Sequence, residues 1–307
     1  MLSILIPERN YNCTKLVNDL AMQCNKAGIV YEILVLDDAS TLFKSENRNI
    51  ENCHNCRFVE SEKNAGVPQT RNKLVQMAQY PHFLMIDSDA EIVNNDDFTN
   101  RYLKAMNQSQ VVVGSMCYTQ QKPSPDRCLR WYYGKKRENR PAYVRNRNPY
   151  QSLITFNLLM ERDIVLRFPF EDQTGYGHDD TIMGCTLRLN NISVLHIDNP
   201  LIHNGLDLSK DFLTKSLSAV EKYLTYPAFQ SEEMLEQIKI FRAFRKVQSL
   251  GLCGLLAFKF RVAKKLMEFN LCSRYPSLFI FDFYRLSYLC YFSATFKMEQ
   301  DGTTKKI

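Results

Sequence analysis

The chain has 307 residues, 45% apolar and 23% charged, with a formal net charge of +6. This is the balance of a folded soluble protein of about two domains, or one large domain with an appendage. Ten cysteines at irregular spacings in a chain this long exclude a small disulfide-dense secreted scaffold and point to a reducing, cytoplasmic setting. The charge is uneven: residues 1–210 hold 24 Lys+Arg and 24 Asp+Glu, and residues 211–307 hold 15 and 9. The whole excess therefore lies in the last third, as suits an anionic partner such as a membrane, a nucleic acid or a polyanion.

Met1-Leu2-Ser3-Ile4-Leu5-Ile6-Pro7 has no basic start and no small-residue cleavage site, so it reads as a strand ended by Pro7, not as a signal peptide. Residues 14–27 space Leu16, Val17, Leu20, Ala21 and Cys24 along one helical face. Residues 32–38 form a second strand running into Asp37 and Asp38, and residues 56–60 a short third. After the loop Asn64-Ala65-Gly66-Val67-Pro68, residues 69–79 read as a helix.

Phe83-Leu84-Met85-Ile86 then runs straight into Asp87-Ser88-Asp89, the pattern of a buried central strand ending in carboxylates. Ligands of open α/β sheets bind beyond the carboxyl ends of the strands. Two hard oxygen donors this close suit a divalent cation such as Mg²⁺ or Mn²⁺; an ordinary acidic turn is the alternative.

Residues 110–116, 152–160 and 192–197 read as further strands. Between the first two, residues 119–150 fit no regular element. Residues 127–147 carry eight Lys/Arg against one Glu, beside Trp131, Tyr132 and Tyr133, and predict a long surface loop that closes over a ligand. Gly175-Tyr176-Gly177-His178-Asp179-Asp180 is a turn into a helix over 181–189, with both carboxylates where the helix dipole favours them. Alternating strands and helices predict an α/β fold with a mostly parallel sheet, helices on its faces and right-handed crossovers.

From about residue 211 the pattern is helical. Residues 236–268 interleave Lys239, Arg242, Arg245, Lys246, Lys259, Arg261, Lys264 and Lys265 with apolar residues, as in a basic amphipathic helix at a membrane surface. Residues 278–296 are apolar and aromatic but contain Asp282 and Arg285, which fits an interfacial or buried helix and not a span.

The motifs Ile4-Leu5-Ile6-Pro7…Asn10, Leu34-Val35-Leu36-Asp37-Asp38-Ala39-Ser40, Asn64-Ala65-Gly66 with Arg71-Asn72, Ile86-Asp87-Ser88-Asp89 and Gly177-His178-Asp179-Asp180 occur in that order. Together they resemble the inverting family 2 glycosyltransferases of the GT-A fold, of the bacterial polysaccharide or lipid-linked glycan type, over residues 2–205. The resemblance implies a catalytic domain over 1–210, a helical C-terminal region over 211–307, and a nucleotide-sugar donor, a UDP-sugar. It implies a glycan or lipid-linked oligosaccharide acceptor, with no nucleic acid, and a peripheral place at the inner face of the cell membrane.

Residue by residue, the resemblance implies that Asp38 contacts the nucleotide base, flanked by Pro7 and Arg9, with Asn64 and Gly66 in the donor site. Arg71 would lie near the ribose or diphosphate, and Asp87 and Ser88 at the ribose or metal. Asp89 and His203 would bind Mn²⁺ or Mg²⁺, Asp180 would be the general base and Asp179 would orient the acceptor. Glu8 and Arg9 stand where the family usually has small or aromatic residues, and Ala39 where it often has glycine. Glu8 would add negative charge beside the nucleotide.

Two other readings stay open. In a haloacid-dehalogenase-type phosphatase, Asp87 would be the nucleophile and Asp89 the acid/base, although that motif normally opens its sheet. A non-catalytic nucleotide-sugar-binding module docked on membrane by its basic tail is the second.

Overall fold

The computed structural model describes residues 1–93, 97–171 and 177–300. In chain order these residues form β1 (Leu2–Glu8), α1 (Thr14–Lys26), β2 (Tyr31–Asp37), α2 (Lys44–Arg48), β3 (Cys56–Glu60), α3 (Val67–Met77), β4 (His82–Ile86) and β5 (Ala90–Ile92). There follow α4 (Phe98–Ala105), β6 (Val111–Cys117), α5 (Cys128–Tyr133), α6 (Ala142–Arg145), β7 (Asn157–Glu161), α7 (Arg162–Arg167), α8 (Asp179–Leu189) and β8 (Val194–His203). The chain ends in α9 (Ser209–Thr225), α10 (Glu232–Glu236), α11 (Lys239–Ser249), α12 (Cys253–Leu271) and α13 (Leu278–Gln300). The described residues group into two compact units: those within 1–119, 137–174 and 179–205 in the first, and those within 120–136, 175–178 and 206–307 in the second.

The first unit is built on one eight-stranded sheet in the order β3-β2-β1-β4-β7-β6-β8-β5. Strands β1 to β4 pair in parallel, β7 runs antiparallel to β4 and β6, β8 is parallel to β6, and β5 lies antiparallel at the edge. The sheet is thus mostly parallel and flanked by helices, as the sequence pattern predicts. Strands covered on both faces read as continuous apolar runs. On one face Leu5, Leu34, Phe83, Met85, Val111, Val113, Leu158 and Met160 pack with Leu74 and Val75 of α3, Ile164 of α7 and Met183 and Leu187 of α8. Residues of the opposite face, Ile4, Ile33, Val35, Leu84 and Leu159, are equally buried.

Strand β1 does not stop at Pro7 but continues to Glu8. The Leu2 N–H and the Glu8 carbonyl both bond on the β2 side, so strand alternation turns residue 7 toward β4. Pairing with β4 ends at Leu5–Met85, so the missing proline N–H removes no ladder bond. Strand β7 is shorter than its apolar run, because residues 150–152 form a 3₁₀ turn. Strand β8 is longer, running through Pro200 past an irregularity opposite Val113–Ser115.

The basic stretch 119–150 is not one surface loop. It forms short helices, α5 in the second unit and α6 in the first. Arg145 is buried and donates to the carbonyls of Gly114 (2.8 Å) and Ile197 (2.7 Å), with Nη1 2.7 Å from Nδ1 of His196. Nε2 of His196 lies 2.9 Å from the Pro149 carbonyl, and burial pushes the ring's pKa down to about 4. A neutral imidazole protonated on Nε2 therefore satisfies both neighbours. Arg145 is a strut between β6 and β8, not a lid charge.

The core of the second unit joins Leu129 of α5, Phe212 and Leu213 of α9, Phe260, Met267 and Leu271 of α12, and Phe281 and Tyr284 of α13. The rings of Phe212 and Phe281 stack at 5.5 Å. The basic run expected as one helix is broken into α11 and α12. Gly251, at φ 69°, ends α11, with its N–H bonded to Gln248 and that of Leu252 to Val247, the left-handed stop that glycine makes inexpensive. Among the described residues, no helix is long and apolar enough to cross a membrane.

Candidate active site

The parallel order places the ends of β2, β1 and β4 side by side, and with them Asp38, Pro7 and the Asp87–Asp89 turn. Asp38 is buried, and its oxygens accept the N–H groups of Ala65 (2.6 Å) and Gly66 (3.0 Å). Gly66 holds φ 84° as it opens α3, a conformation open to glycine without strain. Its N–H also meets Oδ1 of Asn64 (2.9 Å). Asp38, Asn64 and Gly66 are thus one local unit. Arg9 and Asn64 are exposed, and Pro7 is half-buried.

Glu8 turns inward. It is 1% exposed, accepts the Tyr11 N–H (2.7 Å) and the Ser40 hydroxyl (3.1 Å), and faces buried Asp37. Oδ2 of Asp37 is ion-paired with Lys44 Nζ at 3.5 Å but takes no hydrogen bond within the protein, and a protonated Glu8 would supply one. Burial, reinforced by Asp37, pushes the Glu8 pKa up to about 7. The extra charge expected beside the nucleotide is therefore offset in part by a proton held on the buried carboxyl near neutral pH. The neighbouring loops are tied together: the Asn10 N–H donates to Ser40 Oγ (2.8 Å), and Oδ1 of Asn10 accepts the N–H groups of Thr41 (2.7 Å) and Leu42 (3.0 Å). Asn10 and Ala39 both take left-handed backbone, at φ 55° and 56°.

A carboxyl with a raised folded-state pKa binds its proton more tightly folded than unfolded. Its stabilising contribution is full below the unfolded value of 4.5 and is lost as pH rises through about 7. Glu8→Gln, which keeps a neutral donor toward Asp37, is expected to leave stability near pH 4 unchanged. Near pH 8 it should raise stability by on the order of 2–3 kcal/mol. Urea melts at both pH values check this; an equal effect at both would show that Glu8 carries no such proton.

The next group joins β4, α3 and α8. Arg71 is 5% exposed, and its Nη2 donates to Asp87 Oδ1 at 2.9 Å. Asp180 and Asp179 also act on its charge, and its Nε has no partner within the protein. Asp180 stands in the first turn of α8, and its Oδ1 accepts the Thr155 N–H (2.9 Å) and hydroxyl (2.7 Å). Its other oxygen takes no part in those bonds. Burial pushes the Asp180 pKa up to about 6, Asp179 adding to the rise while Arg71 and Thr155 pull against it. A carboxylate titrating near neutrality beside a cation is a serviceable general base. Of the turn before it, Gly177 and His178 are described, and Gly175 and Tyr176 lie outside the described residues.

The third group surrounds Asp89. The Ala90 N–H bonds back to the Asp87 carbonyl (3.1 Å), closing a turn that holds Ser88 buried and leads into β5. Strand β5 pairs with β8, setting Ala90 opposite His203. Asp89 Oδ2 and His203 Nε2 are 3.1 Å apart. The edges or faces of Tyr118 (5.7 Å) and Phe156 (5.3 Å) hold the imidazole in T-shaped contacts.

Among the described residues no three His, Cys, Asp or Glu side chains cluster to hold a metal alone. Two donors this far apart nevertheless match neighbouring ligands on an octahedral ion with bonds of about 2.1 Å, whose other ligands are usually phosphate and water. The imidazole–carboxylate pair favours Mn²⁺ over Mg²⁺.

Sequence reasoning missed Thr155 and Gly205. Nothing in the sequence marks Thr155, which lies in a run read as strand. Gly205 follows His203 by two residues, and a Cβ there would come within 1.8 Å of Asp89 Oδ2. Gly205→Ala is therefore expected to displace the Asp89 carboxylate and weaken Mn²⁺ affinity by about 10–100-fold, as loss of a ligand-orienting group does, with little change in melting temperature. Calorimetric titration with Mn²⁺ and a nucleoside diphosphate checks this.

Residues 3–165 match the family described as glycosyl transferase family 2. No curated protein matches the sequence. Among solved structures, S. aureus TarS 1-349 aligns with TM-score 0.51 at 17% identity, covering 98% of this chain and 91% of that one. The chain spans 43% of a longer S. aureus TarS structure. The mannosyltransferase PcManGT from Pyrobaculum calidifontis, in complex with GDP-Man and Mn²⁺, aligns with TM-score 0.54 at 12% identity, covering 97% and 87%. Glucosyl-3-phosphoglycerate synthase from Mycobacterium tuberculosis, in complex with Mn²⁺, UDP and glucosyl-3-phosphoglycerate, aligns with TM-score 0.50 at 15% identity, covering 76% and 81%. These likenesses establish the fold.

Proposed function

The chain belongs to glycosyl transferase family 2, and on that premise we propose that it is a metal-dependent inverting enzyme moving a hexose or N-acetylhexosamine from a nucleotide sugar, UDP-linked, to a hydroxyl of a glycan or lipid-linked acceptor. The observation that carries the reading is the Asp180 carboxylate, oriented by Thr155 and set in one group with Arg71 and Asp87. A sugar hydroxyl is a weak nucleophile near neutrality. Asp180 takes its proton as the hydroxyl oxygen bonds to C1, and the C1–oxygen bond to the diphosphate breaks with its electron pair on the leaving group. A single displacement inverts the anomeric centre, and a retaining route would need a second nucleophile on the opposite face.

The remaining residues bind and orient. Asp38 meets the base, between Pro7, Arg9 and the Asn64–Gly66 loop. Arg71, whose buried Nε lacks an acceptor, faces the diphosphate; a buried guanidinium N–H left unpaired is costly, and an anion would satisfy it. Asp87, already held by Arg71, and Ser88 line the ribose, and Asp179 orients the acceptor. A divalent cation held by Asp89 and His203, with Asp87 beside them, would stabilise the charge on the leaving diphosphate. Two of the structural neighbours contain Mn²⁺, which supports that choice. The basic C-terminal third supports work at the cytoplasmic face of the cell membrane, on a bacterial polysaccharide or lipid-linked glycan.

The phosphatase alternative needs Asp87 as a free nucleophile opening the sheet. Asp87 instead follows the fourth strand in chain order and is paired with Arg71. The test is nucleotide release from UDP-, GDP- and dTDP-sugars in Mn²⁺ without acceptor. Release from one donor names the sugar. No release, together with no Mn²⁺-dependent binding of UDP by calorimetry, would sink the reading. Binding without turnover across an acceptor panel would favour the non-catalytic module.

A further inference from the structure

Helix α12 has two apolar faces. Phe260 (3% exposed), Met267 (7%) and Leu271 (0%) form the one that packs into the core of the second unit. Leu255 (49%), Phe258 (62%), Val262 (70%), Leu266 (73%) and Phe269 (78%) lie on the other, open to solvent. At about 100° per residue these five fall within about 80° of one another, directly opposite the buried seam, along about 21 Å of helix. Isolated exposed apolar residues need no explanation, but a continuous stripe does.

Lys259 and Lys265 border the stripe, one on each side, and Arg261 stands beyond Lys265. All three are exposed, and among the described residues they make no ion pair. The acid of this helix, Glu268, lies off the stripe and accepts the Tyr284 hydroxyl (2.8 Å). Tyr275 and Phe279, in the turn to α13 and at its start, are also 70% and 80% exposed.

We propose that this outer face of α12 is an in-plane membrane anchor, its five apolar side chains entering the acyl boundary of a bilayer whose anionic headgroups Lys259, Arg261 and Lys265 meet. A straight apolar stripe bordered by cations complements an apolar layer beneath an anionic one. A second copy of the chain fits poorly, because two such faces brought together would oppose their lysine rows. A nucleic acid would leave the apolar stripe without a partner. The inference deepens the proposed reading and rests on it only for its purpose, which is to bring the active site to a lipid-borne acceptor.

The test is sedimentation of the full chain with vesicles of phosphatidylglycerol or of phosphatidylcholine, with donor hydrolysis measured on the same preparations. The wild type is expected to bind phosphatidylglycerol vesicles and to be released in part by salt. Lys259→Ala with Lys265→Ala should lower partitioning there by about 25-fold, at roughly fivefold per lysine. Phe258→Ser with Phe269→Ser should lower it at least as much, leaving donor hydrolysis in solution unchanged, since both side chains are exposed. Absence of binding to phosphatidylglycerol at low salt overturns the proposal. So does wild-type binding by both variants, or a dimer that the serine variant dissociates while vesicle binding stays constant. Vesicle binding with neither nucleotide release nor Mn²⁺-dependent UDP binding would support the anchor while removing the transferase reading, and nucleotide release without vesicle binding would do the opposite.

Discussion

Asp180→Asn is expected to lower kcat by about 10²–10⁴-fold, the usual contribution of a positioned general base. The substitution is nearly isosteric, and an amide oxygen can still accept both Thr155 bonds, which measure 2.9 and 2.7 Å in the native protein. Loss of rate would then report loss of a proton acceptor and not a displaced helix. The wild-type rate carries a second signature. A base works only when ionised, and burial pushes this one up to about 6. Activity should fall as pH drops through about 6 and level off above it, while the small residual rate of Asp180→Asn should lack that step. Initial rates of nucleotide release between pH 5 and 8 measure both. A wild-type rate in the variant would transfer the role to Asp179, its neighbour in the first turn of α8.

Asp89→Ala should be nearly as damaging, lowering Mn²⁺-supported release by about 10²–10³-fold, equivalent to the several kcal/mol that a cation lends to a developing charge. Chelation of the wild type with EDTA is expected to reach the same floor, and EDTA should add no further loss in the variant. The carboxylate and its partner His203 are both partly solvent-exposed. Removing it should therefore move the melting temperature little. His203→Ala should weaken Mn²⁺ dependence less, since phosphate and water can fill a vacated position. A rate in Asp89→Ala that still rises with added Mn²⁺ would locate the ion elsewhere.

The parts of this molecule that could be read from sequence are those set by continuous apolar runs. Strands buried on both faces, such as the one ending at Ile86, cannot be polar, so their residues disclose them. Asp38, Asp87 and Asp89 follow such runs directly, and their position at the sheet edge comes with the strands. What escaped reading depends on contacts between residues distant in the chain. Strand β5 has three residues, too few for a period, and exists because β8 pairs with it. Arg145 is basic and would be placed at the surface by composition, yet the carbonyls of β6 and β8 bury it. The inward turn of Glu8 is settled by Asp37, at the end of β2, and by Ser40 in the loop after it. The two faces of α12 blur any amphipathic pattern, because neither is polar and only the fold decides which one is covered.

The ties between Asn10 and residues 40–42 bear on how a nucleotide is received. Loops free in solution must be ordered when a ligand arrives, at about 1–2 kcal/mol of conformational entropy per residue fixed. Here the two loops beside Pro7 and Asp38 are already fixed to each other, and two residues hold left-handed backbone at about 1–2 kcal/mol each whether or not a ligand is present. The ordering has been completed during folding. Such an edge is preorganised: a base bound there, as proposed, would meet a surface already shaped, with little entropy left to lose on binding.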